Sequence, residues 1–379
     1  MSERWRFWSG IAIVAGTIFG VGVFAIPYAV AQAGPVAGLF WFIVVAFAVV
    51  SLHLLYGSLQ LNGNSHKRLI SLVGNNLGSK WRFIPFVSTF VGGAGAMLAY
   101  LIVGGNFAKL FSGDLLNVSS DQWTVVIWLL FSVLIFFGVK SVARFELIAT
   151  GVLFLGVIFI IVVFWQNASI SLIPQGSAAN FFVPYGVILF SLYGANAIPE
   201  MVEFVGDKHR KITNIIMIGT LLPLVCYIFF TFGILGLSGS SVSTDAISGL
   251  SGLVNPAIIK IAALVGFLAI ATSFVTVGLY LADTLTEDLR FPTLVARMIA
   301  VCIPVILFLI GLRNFITIAG FIGAVLGAID GILISYIFLR LRSSGRISPL
   351  VYTPRFIPII LIAVFLVGIC GEIVFLIFK

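Results

Sequence analysis

The sequence GTIFGVGVFAIP, at residues 16–27, places three glycines and a proline inside an otherwise apolar segment. A second segment, SLYGANAIP at residues 191–199, also leads through small residues into Ala-Ile-Pro. Glycine adopts non-helical backbone at little steric cost, and proline removes a backbone donor and obstructs the preceding turn. Both segments are therefore predicted to be interrupted helices.

The composition around these segments predicts a membrane protein. Of the 379 residues, 61% are hydrophobic and 9% are charged, whereas a soluble domain carries about 25% charged residues. A helix needs about 20 mostly apolar residues to span the hydrocarbon. The sequence offers eleven such spans, near 9–32, 36–60, 84–110, 122–139, 145–166, 180–204, 212–237, 256–283, 293–312, 314–340 and 356–378. We expect an all-α polytopic membrane protein whose first span is retained, because it is too long for a signal-peptide core.

The basic residues predict the orientation, since cytoplasmic loops concentrate Lys and Arg. With a cytoplasmic N-terminus and the C-terminus outside, 17 of the 21 basic residues lie on the inner side. They include Arg68 in the segment 61–83, which predicts a short helix on the inner membrane surface, and the basic stretch DKHRK at 207–211. The net charge of +8 therefore reflects membrane orientation, and no nucleic-acid partner is expected. The Ser/Gly-rich outer loop 238–255 is expected to be mobile.

The two Ala-Ile-Pro segments also predict an internal symmetry. They end at Pro27 in span 1 and at Pro199 in span 6. The copies are thus separated by five spans, and because five is odd, the second copy enters the membrane from the opposite side. This is the signature of an inverted repeat.

The repeat predicts how the chain is organised. The whole chain, 1–379, is interpreted as one transporter domain, with repeat one at about 9–166, repeat two at about 180–340 and an extra helix at about 356–378. Paired broken helices favour a binding site near the membrane midplane, whereas a single one would equally suit close helix packing.

Longer motifs resemble a known family. GTIFGVGVFAIPYAVAQAG and PYGVILFSLYGANAIPEM resemble the first and sixth transmembrane signatures of the amino acid/auxin permease family, within the amino acid-polyamine-organocation superfamily. ATSFVTVGLYLADTL in span 8 agrees with this, and the overall pattern is most similar to prokaryotic aromatic and hydroxy amino acid permeases. The resemblance implies a secondary transporter that carries an L-amino acid by alternating access, driven by a proton or sodium gradient. A transporter-fold sensor and a channel are the alternatives.

The resemblance also implies the substrate site. It assigns recognition of the amino acid's carboxylate and amino group to the backbone of span 1, with further contacts from span 6. Unwound backbone offers a zwitterion both donors and acceptors. The implied substrate-binding residues are Thr17, Gly20, Val21 and Gly22 in span 1, and Phe190, Ser191, Tyr193 and Gly194 in span 6.

The coupling ion is open between sodium and a proton, and the sequence offers candidates for each. In sodium-coupled members of the superfamily, span 8 hydroxyls join span 1 carbonyls around the ion, which makes Gly16, Thr272, Ser273 and Thr276 candidates by resemblance. Hydroxyls in helices also bond to their own backbone, so a structural role is equally open. A carboxyl inside a span costs at least about 2.5 to 3.5 kcal/mol and is by default a functional candidate.

The carboxyl groups within the spans differ in their position, and each position predicts a different role. Glu200, in the inner half of span 6, is a candidate for gating or for taking up a proton, and a cap or ion pair with an inner basic residue is an equal alternative. The isolated Asp330 in span 10 is a second candidate, with a protonated structural donor as its alternative. Glu203 and Asp283 are expected to form ion pairs at the inner surface. Glu372 is interpreted as a protonated structural donor.

Other chemistry is not indicated. His53 lies alone in span 2, which favours a hydrogen-bonded packing role over a proton relay. Three histidines without HExxH or CxxC predict no metal site, and the absence of a nucleophile–base constellation argues against an enzyme. We therefore expect no cofactor besides Na+ or H+ as coupling ion, with a small-molecule amino acid and the lipid bilayer as partners, in the plasma membrane. The substrate side chain and the oligomeric state stay open.

Overall fold

The protein folds as a bundle of helices. The computed structural model describes residues 3–62, 68–113, 117–137, 142–206 and 209–378. Within them, the first half contains α1 (Glu3–Ile18), α2 (Gly22–Ala33), α3 (Pro35–Asn62), α4 (Leu69–Leu77), α5 (Phe83–Ser112), α6 (Ser120–Phe137) and α7 (Val142–Trp165). The second half contains α8 (Val183–Leu192), α9 (Ala197–Val205), α10 (His209–Ser238), α11 (Pro256–Leu289), α12 (Thr293–Leu309), α13 (Phe315–Phe321), α14 (Ala328–Ser343) and α15 (Phe356–Phe378).

These helices confirm an all-helical polytopic membrane protein. Eight helical segments in the described part of the chain are long and apolar enough to cross a bilayer, and a bent pair adds a ninth. Two shorter apolar helical stretches, Phe154–Trp165 within α7 and Thr293–Leu309, which is α12, coincide with the expected spans 5 and 9. The count of eleven spans stays a prediction.

Both predicted interruptions lie where small residues occur. Helices α1 and α2 form span 1, bent by 53°, and residues 19–21 between them are not helical. Helices α8 and α9 form span 6, separated by the non-helical residues 193–196. Pro27 and Pro199 lie inside the helices that follow the breaks, so the prolines mark the region of each break without standing at it.

The interrupted helices pack against each other at the centre of the bundle. Helix α2 packs on α8, and α1 packs on α9 and α10. On one side of this pair, α5 and α11 pack along each other, and on the other α3 contacts α8, α9 and α10. Span 10 is also irregular: α13 passes through a π-helical stretch at residues 322–327 before α14 begins. Such π segments are frequent at functional sites.

Within the segment 61–83, the described helix α4 differs from the prediction in the surface that its apolar side chains contact. Helix α4 forms as expected, but its apolar side chains Leu69, Ile70, Leu72 and Val73 are buried because α4 packs against α14 and α5. The apolar patch therefore faces the protein and not the lipid surface.

The loop 238–255, which was expected to be mobile, is organised around the buried carboxyl group of Asp245. Asp245, 2% exposed, accepts hydrogen bonds from the Ser243 hydroxyl at 2.7 Å, the Ser248 backbone N–H at 2.9 Å and the Ser248 hydroxyl at 2.6 Å. The Asn106 amide of α5 donates to the same carboxylate at 3.0 Å. Two of the serines that suggested mobility, Ser243 and Ser248, thus donate the hydrogen bonds that hold this loop to Asp245.

Candidate functional site

A cavity of about 360 Å³ lies where both interrupted helices meet. Its walls come from spans 1, 3, 6, 8 and 10. Backbone that has left helical geometry within a membrane must find partners in protein or water, and the two breaks find them differently.

In span 1, the end of α1 is held by a side chain of α10. The buried Tyr227 hydroxyl donates to the carbonyl oxygen of Ile18 at 2.7 Å, which satisfies one acceptor that the break leaves without a helical partner. Gly22, the first residue of α2, faces α8 so closely that a Cβ there would lie 2.6 Å from the Cα of Ser191. Glycine is therefore required at this crossing, since a side chain would separate the two helices.

In span 6, the break is held by a histidine. The Gly194 N–H donates to Nε2 of His53 at 3.3 Å, and Nδ1 of the same ring lies 2.9 Å from the Thr220 hydroxyl. Because Nε2 is the acceptor, the ring is neutral with its proton on Nδ1, which donates to Thr220. His53 is thus a buried, hydrogen-bonded side chain, in agreement with the expected packing role. It bridges the span 6 backbone to α10.

The carboxyl of Asp330 is the most enclosed acidic group in the cavity wall, at 6% exposed. It accepts hydrogen bonds from the Ser88 hydroxyl of α5 and from the Tyr193 hydroxyl at 3.0 Å. Tyr193 belongs to the break in span 6, and Asp330 lies on α14 just after the π-helical stretch. The carboxyl therefore joins the interrupted helix to spans 3 and 10.

Most of the residues predicted for the site lie in this cavity wall. The wall includes Thr17, Gly20, Val21, Gly22, Phe190, Ser191, Tyr193, Thr276, Glu200 and Asp330. The Thr276 hydroxyl is buried with no hydrogen-bond partner among the described residues.

Four predicted residues lie outside the wall. Gly16 is inside α1, and Gly194 is turned towards His53 and Ile18, where a Cβ would lie 2.6 Å from Ile18 Cγ1. The Thr272 hydroxyl donates to two carbonyls of its own helix, at 3.0 and 3.3 Å. Ser273 is adjacent to the site, since its hydroxyl lies 3.9 Å from a Cβ built on Gly20.

The end of the cavity next to α4 and α9 carries charged side chains. Glu200, Asp283 and Arg68 line it, and Arg68 lies 3.2 Å from a Glu287 carboxylate oxygen and stacks over the Tyr280 ring at 5.1 Å. Asp283 and Glu203 were expected to form ion pairs near Lys208, His209 and Arg290. Lys208 and the His209 side chain lie outside the described residues, and Asp283 takes part in the cavity wall.

Sequence reasoning missed several wall residues: Ser88 and Tyr100 on α5, Asn196 in the span 6 break and Tyr280 on α11. Each is a polar residue within or beside an apolar span, but the sequence contains many of these. Tyr185, for example, is buried elsewhere. Residue type alone therefore does not identify them.

A second, smaller cavity of about 160 Å³ lies at the start of α8 in span 6. Val183, Gly320 and Glu372 line it, together with polar side chains such as Gln32 and Asn180. Glu372 is 3% exposed, and it lies in the wall of this cavity. Between the two cavities, Gly186 of α8 approaches span 10 so closely that a Cβ would lie 2.9 Å from Gly320 Cα.

The described residues contain no group of three His, Cys, Asp or Glu side chains arranged to hold a metal ion. The donors and acceptors around the large cavity are backbone groups, hydroxyls, carboxyls, an amide and a guanidinium. This set suits a small polar molecule with charges of both signs.

Comparisons with known proteins agree with this architecture. Residues 3–378 match the profile of the Tryptophan/tyrosine permease family. The low affinity tryptophan permeases of two Escherichia coli strains are 24% identical to this chain over 341 residues, which cover 82% of it and 81% of each relative. Crystal structures of two mutants of the manganese transporter of Eremococcus coleocola share the fold with a TM-score of 0.69 at 13% identity, over 97% of this chain and 86% of theirs. The aromatic permease part of the resemblance is thus confirmed at the family level, and the wider assignment to the amino acid/auxin permeases stays a prediction.

Proposed function

Because the chain belongs to the tryptophan/tyrosine permease family, we propose that it is a secondary transporter that carries an aromatic L-amino acid across the plasma membrane by alternating access. The observation that carries the proposal is the cavity lined by the backbone breaks of spans 1 and 6. The family is one of permeases and not of enzymes, so transport is the activity to be explained.

The two breaks offer complementary ends to a zwitterion. Helix α2 begins at Gly22 in the cavity wall, and a helix N-terminus favours a carboxylate through its free N–H groups and its dipole. Helix α1 ends at Ile18 in the same wall, and a helix C-terminus favours a cation such as the amino group. Thr17, Gly20 and Val21 lie at or between these two ends. This arrangement supports binding of the substrate backbone at span 1.

The substrate side chain is proposed to lie among the aromatic residues of the wall. Tyr100, Phe190, Tyr193 and Tyr280 line the cavity, and aromatic pairs gain about 0.5 to 1.5 kcal/mol beyond burial. Ser191 and Gly194 support this part of the site from span 6, Ser191 in the wall and Gly194 behind it.

Asp330 is proposed to take the coupling proton. A buried carboxyl in a span is expensive unless neutralised, and this one accepts bonds from Tyr193 in the interrupted helix and from Ser88. Protonation turns one acceptor oxygen into a donor, so it alters the link between span 6 and its neighbours. A sodium site is less well supported, because the Thr272 hydroxyl bonds its own helix. Ser273, Thr276 and the span 1 carbonyls are its remaining candidate ligands.

Packing supports the proposed inverted repeat. Span 1, through α1, contacts α10 of span 7 and α7 of span 5. Span 6, through α8, contacts α3 of span 2 and α13 of span 10. A shift of five spans exchanges these two sets of partners, as an inverted repeat requires. Repeat one, 9–166, and repeat two, 180–340, would then move relative to each other, with the helix at 356–378 outside both.

Uptake in proteoliposomes tests the proposal. Radiolabelled tryptophan, tyrosine and, as a matched non-aromatic control, leucine are supplied under separate proton and sodium gradients. We expect accumulation of an aromatic amino acid under the proton gradient and little accumulation of leucine. Flux without accumulation under either gradient would favour a channel, and binding without flux a sensor.

A further inference from the structure

Two fully buried side chains outside the cavity wall hold the interrupted backbone. Tyr227 donates its hydroxyl to the Ile18 carbonyl at the break in span 1, at 2.7 Å. His53 accepts from the Gly194 N–H at the break in span 6, at 3.3 Å. Both side chains are 0% exposed. One group offers a donor to a freed carbonyl, and the other an acceptor to a freed N–H.

The two contacts correspond to each other under the proposed repeat. His53 lies on span 2 and Tyr227 on span 7, while Ile18 lies on span 1 and Gly194 on span 6, so each pair is separated by five spans. The number of residues from His53 to Tyr227, and from Ile18 to Gly194, is in each case nearly the same as the number between the two Ala-Ile-Pro copies. Each contact also crosses between repeats, because the side chain belongs to one repeat and the break to the other.

The two breaks also touch each other between these side chains. A Cβ on Gly194 would lie 2.6 Å from Ile18 Cγ1 and 3.4 Å from His53 Cε1. The second ring nitrogen of His53 lies 2.9 Å from the Thr220 hydroxyl, on the same helix α10 that carries Tyr227. The break backbone is therefore fixed from behind by spans 2 and 7, while its other side faces the cavity.

We infer that His53 and Tyr227 are equivalent positioning residues of the substrate site, each setting one break from the opposite repeat. The inference rests on the proposed function, since the breaks are taken to be the surface that recognises the amino acid. Neither side chain touches the cavity. Each acts through the backbone group that it bonds.

Substrate affinity tests this role. Tyr227→Phe removes one hydroxyl and little volume, and leaves a buried carbonyl without its donor; we expect the Kd for tryptophan, measured on the purified full chain, to rise about tenfold. Tyr185→Phe is the matched control, because the Tyr185 hydroxyl is equally buried and has no hydrogen-bond partner among the described residues. It should leave the Kd unchanged.

His53 allows a test by rescue. His53→Leu removes the acceptor and should raise the Kd about tenfold or more, whereas His53→Gln retains an oxygen acceptor of similar reach and should recover most of the affinity. Thermal melting of each variant shows whether it is folded. Equal affinities for the Leu and Gln variants, both folded, would overturn the role of His53.

Hydrogen–deuterium exchange without substrate separates this inference from the proposed function. Exchange should rise in peptides covering residues 193–196 in His53→Leu, and in those covering 19–21 in Tyr227→Phe. If the wild type binds no aromatic amino acid, the proposed function fails while the exchange result still decides whether these side chains hold the breaks. Unchanged exchange, or faster exchange with unchanged affinity for tryptophan, would overturn the positioning role.

Discussion

Replacing Asp330 by asparagine should uncouple transport from the proton gradient while the site stays intact. The amide oxygen of asparagine can accept from Ser88, and its NH₂ can donate to the Tyr193 hydroxyl, which is both donor and acceptor. Ser88 also lies 3.2 Å from the Pro85 carbonyl, so its hydroxyl keeps a second partner. The loss in folding free energy should therefore stay below about 1.5 kcal/mol. Asp330→Leu, by contrast, removes the acceptor from both hydroxyls at about 1 to 3 kcal/mol each.

The assay compares accumulation with exchange in proteoliposomes. One proton per substrate and a gradient of about two pH units can sustain up to about 100-fold accumulation, because about 1.4 kcal/mol corresponds to a tenfold ratio. We expect the Asn variant to accumulate almost no tryptophan, while counterflow, which needs no gradient, stays within about threefold of wild type. Accumulation by Asp330→Asn at the wild-type level would refute the assignment of the proton to this carboxyl.

Three further predictions concern neighbouring positions. Gly22→Ala should destabilise the protein by about 1 to 3 kcal/mol, because the added methyl group forces α2 and α8 apart. Gly20→Ala is the control and should melt like wild type, because its Cβ would meet no atom closer than 3.7 Å. Similar melting of the two variants would contradict the packing argument. Thr272→Ala should leave the sodium dependence of uptake unchanged, since the hydroxyl bonds its own helix, and a shift in that dependence would return Thr272 to the ion site. Arg68→Gln should lower stability by less than about 1 kcal/mol, because the Arg68 and Glu287 side chains of this ion pair are 31% and 65% exposed. A larger loss in melting experiments would show that the pair holds this end of the bundle together.

The breaks were predictable because their cause is local. Glycines and a proline in a short apolar segment weaken a helix wherever it lies, and the second copy at Pro199 indicated a paired function. The point at which each helix stops was not predictable: both prolines lie inside the following helix, where the structure tolerates the missing donor. The helix ends were set instead by Tyr227 and His53, which are distant in sequence from the carbonyl and N–H that they bond.

The rest of the site depends on such distant contacts. Asp330 was identifiable as a carboxyl in an apolar span, but its partners Ser88 and Tyr193 come from two other spans. The π-helical stretch at residues 322–327 contains no proline, and its Gly323 lies against the backbone of Gly186 in span 6, a contact that the sequence does not reveal. Similarly, the loop around Asp245 has a flexible composition, and it is held by hydrogen bonds to a buried carboxyl group that its sequence does not reveal.

The contact between Gly186 and span 10 has a mechanical consequence. Val183 borders the smaller cavity and Phe190 the larger one. Between them, at Gly186, the backbone of α8 lies directly against the backbone of span 10. Such a wall cannot be opened by rotating a side chain about χ1. Opening the wall at this contact therefore requires α8 and span 10 to move relative to each other, and packed helices favour a few discrete arrangements over a continuous range.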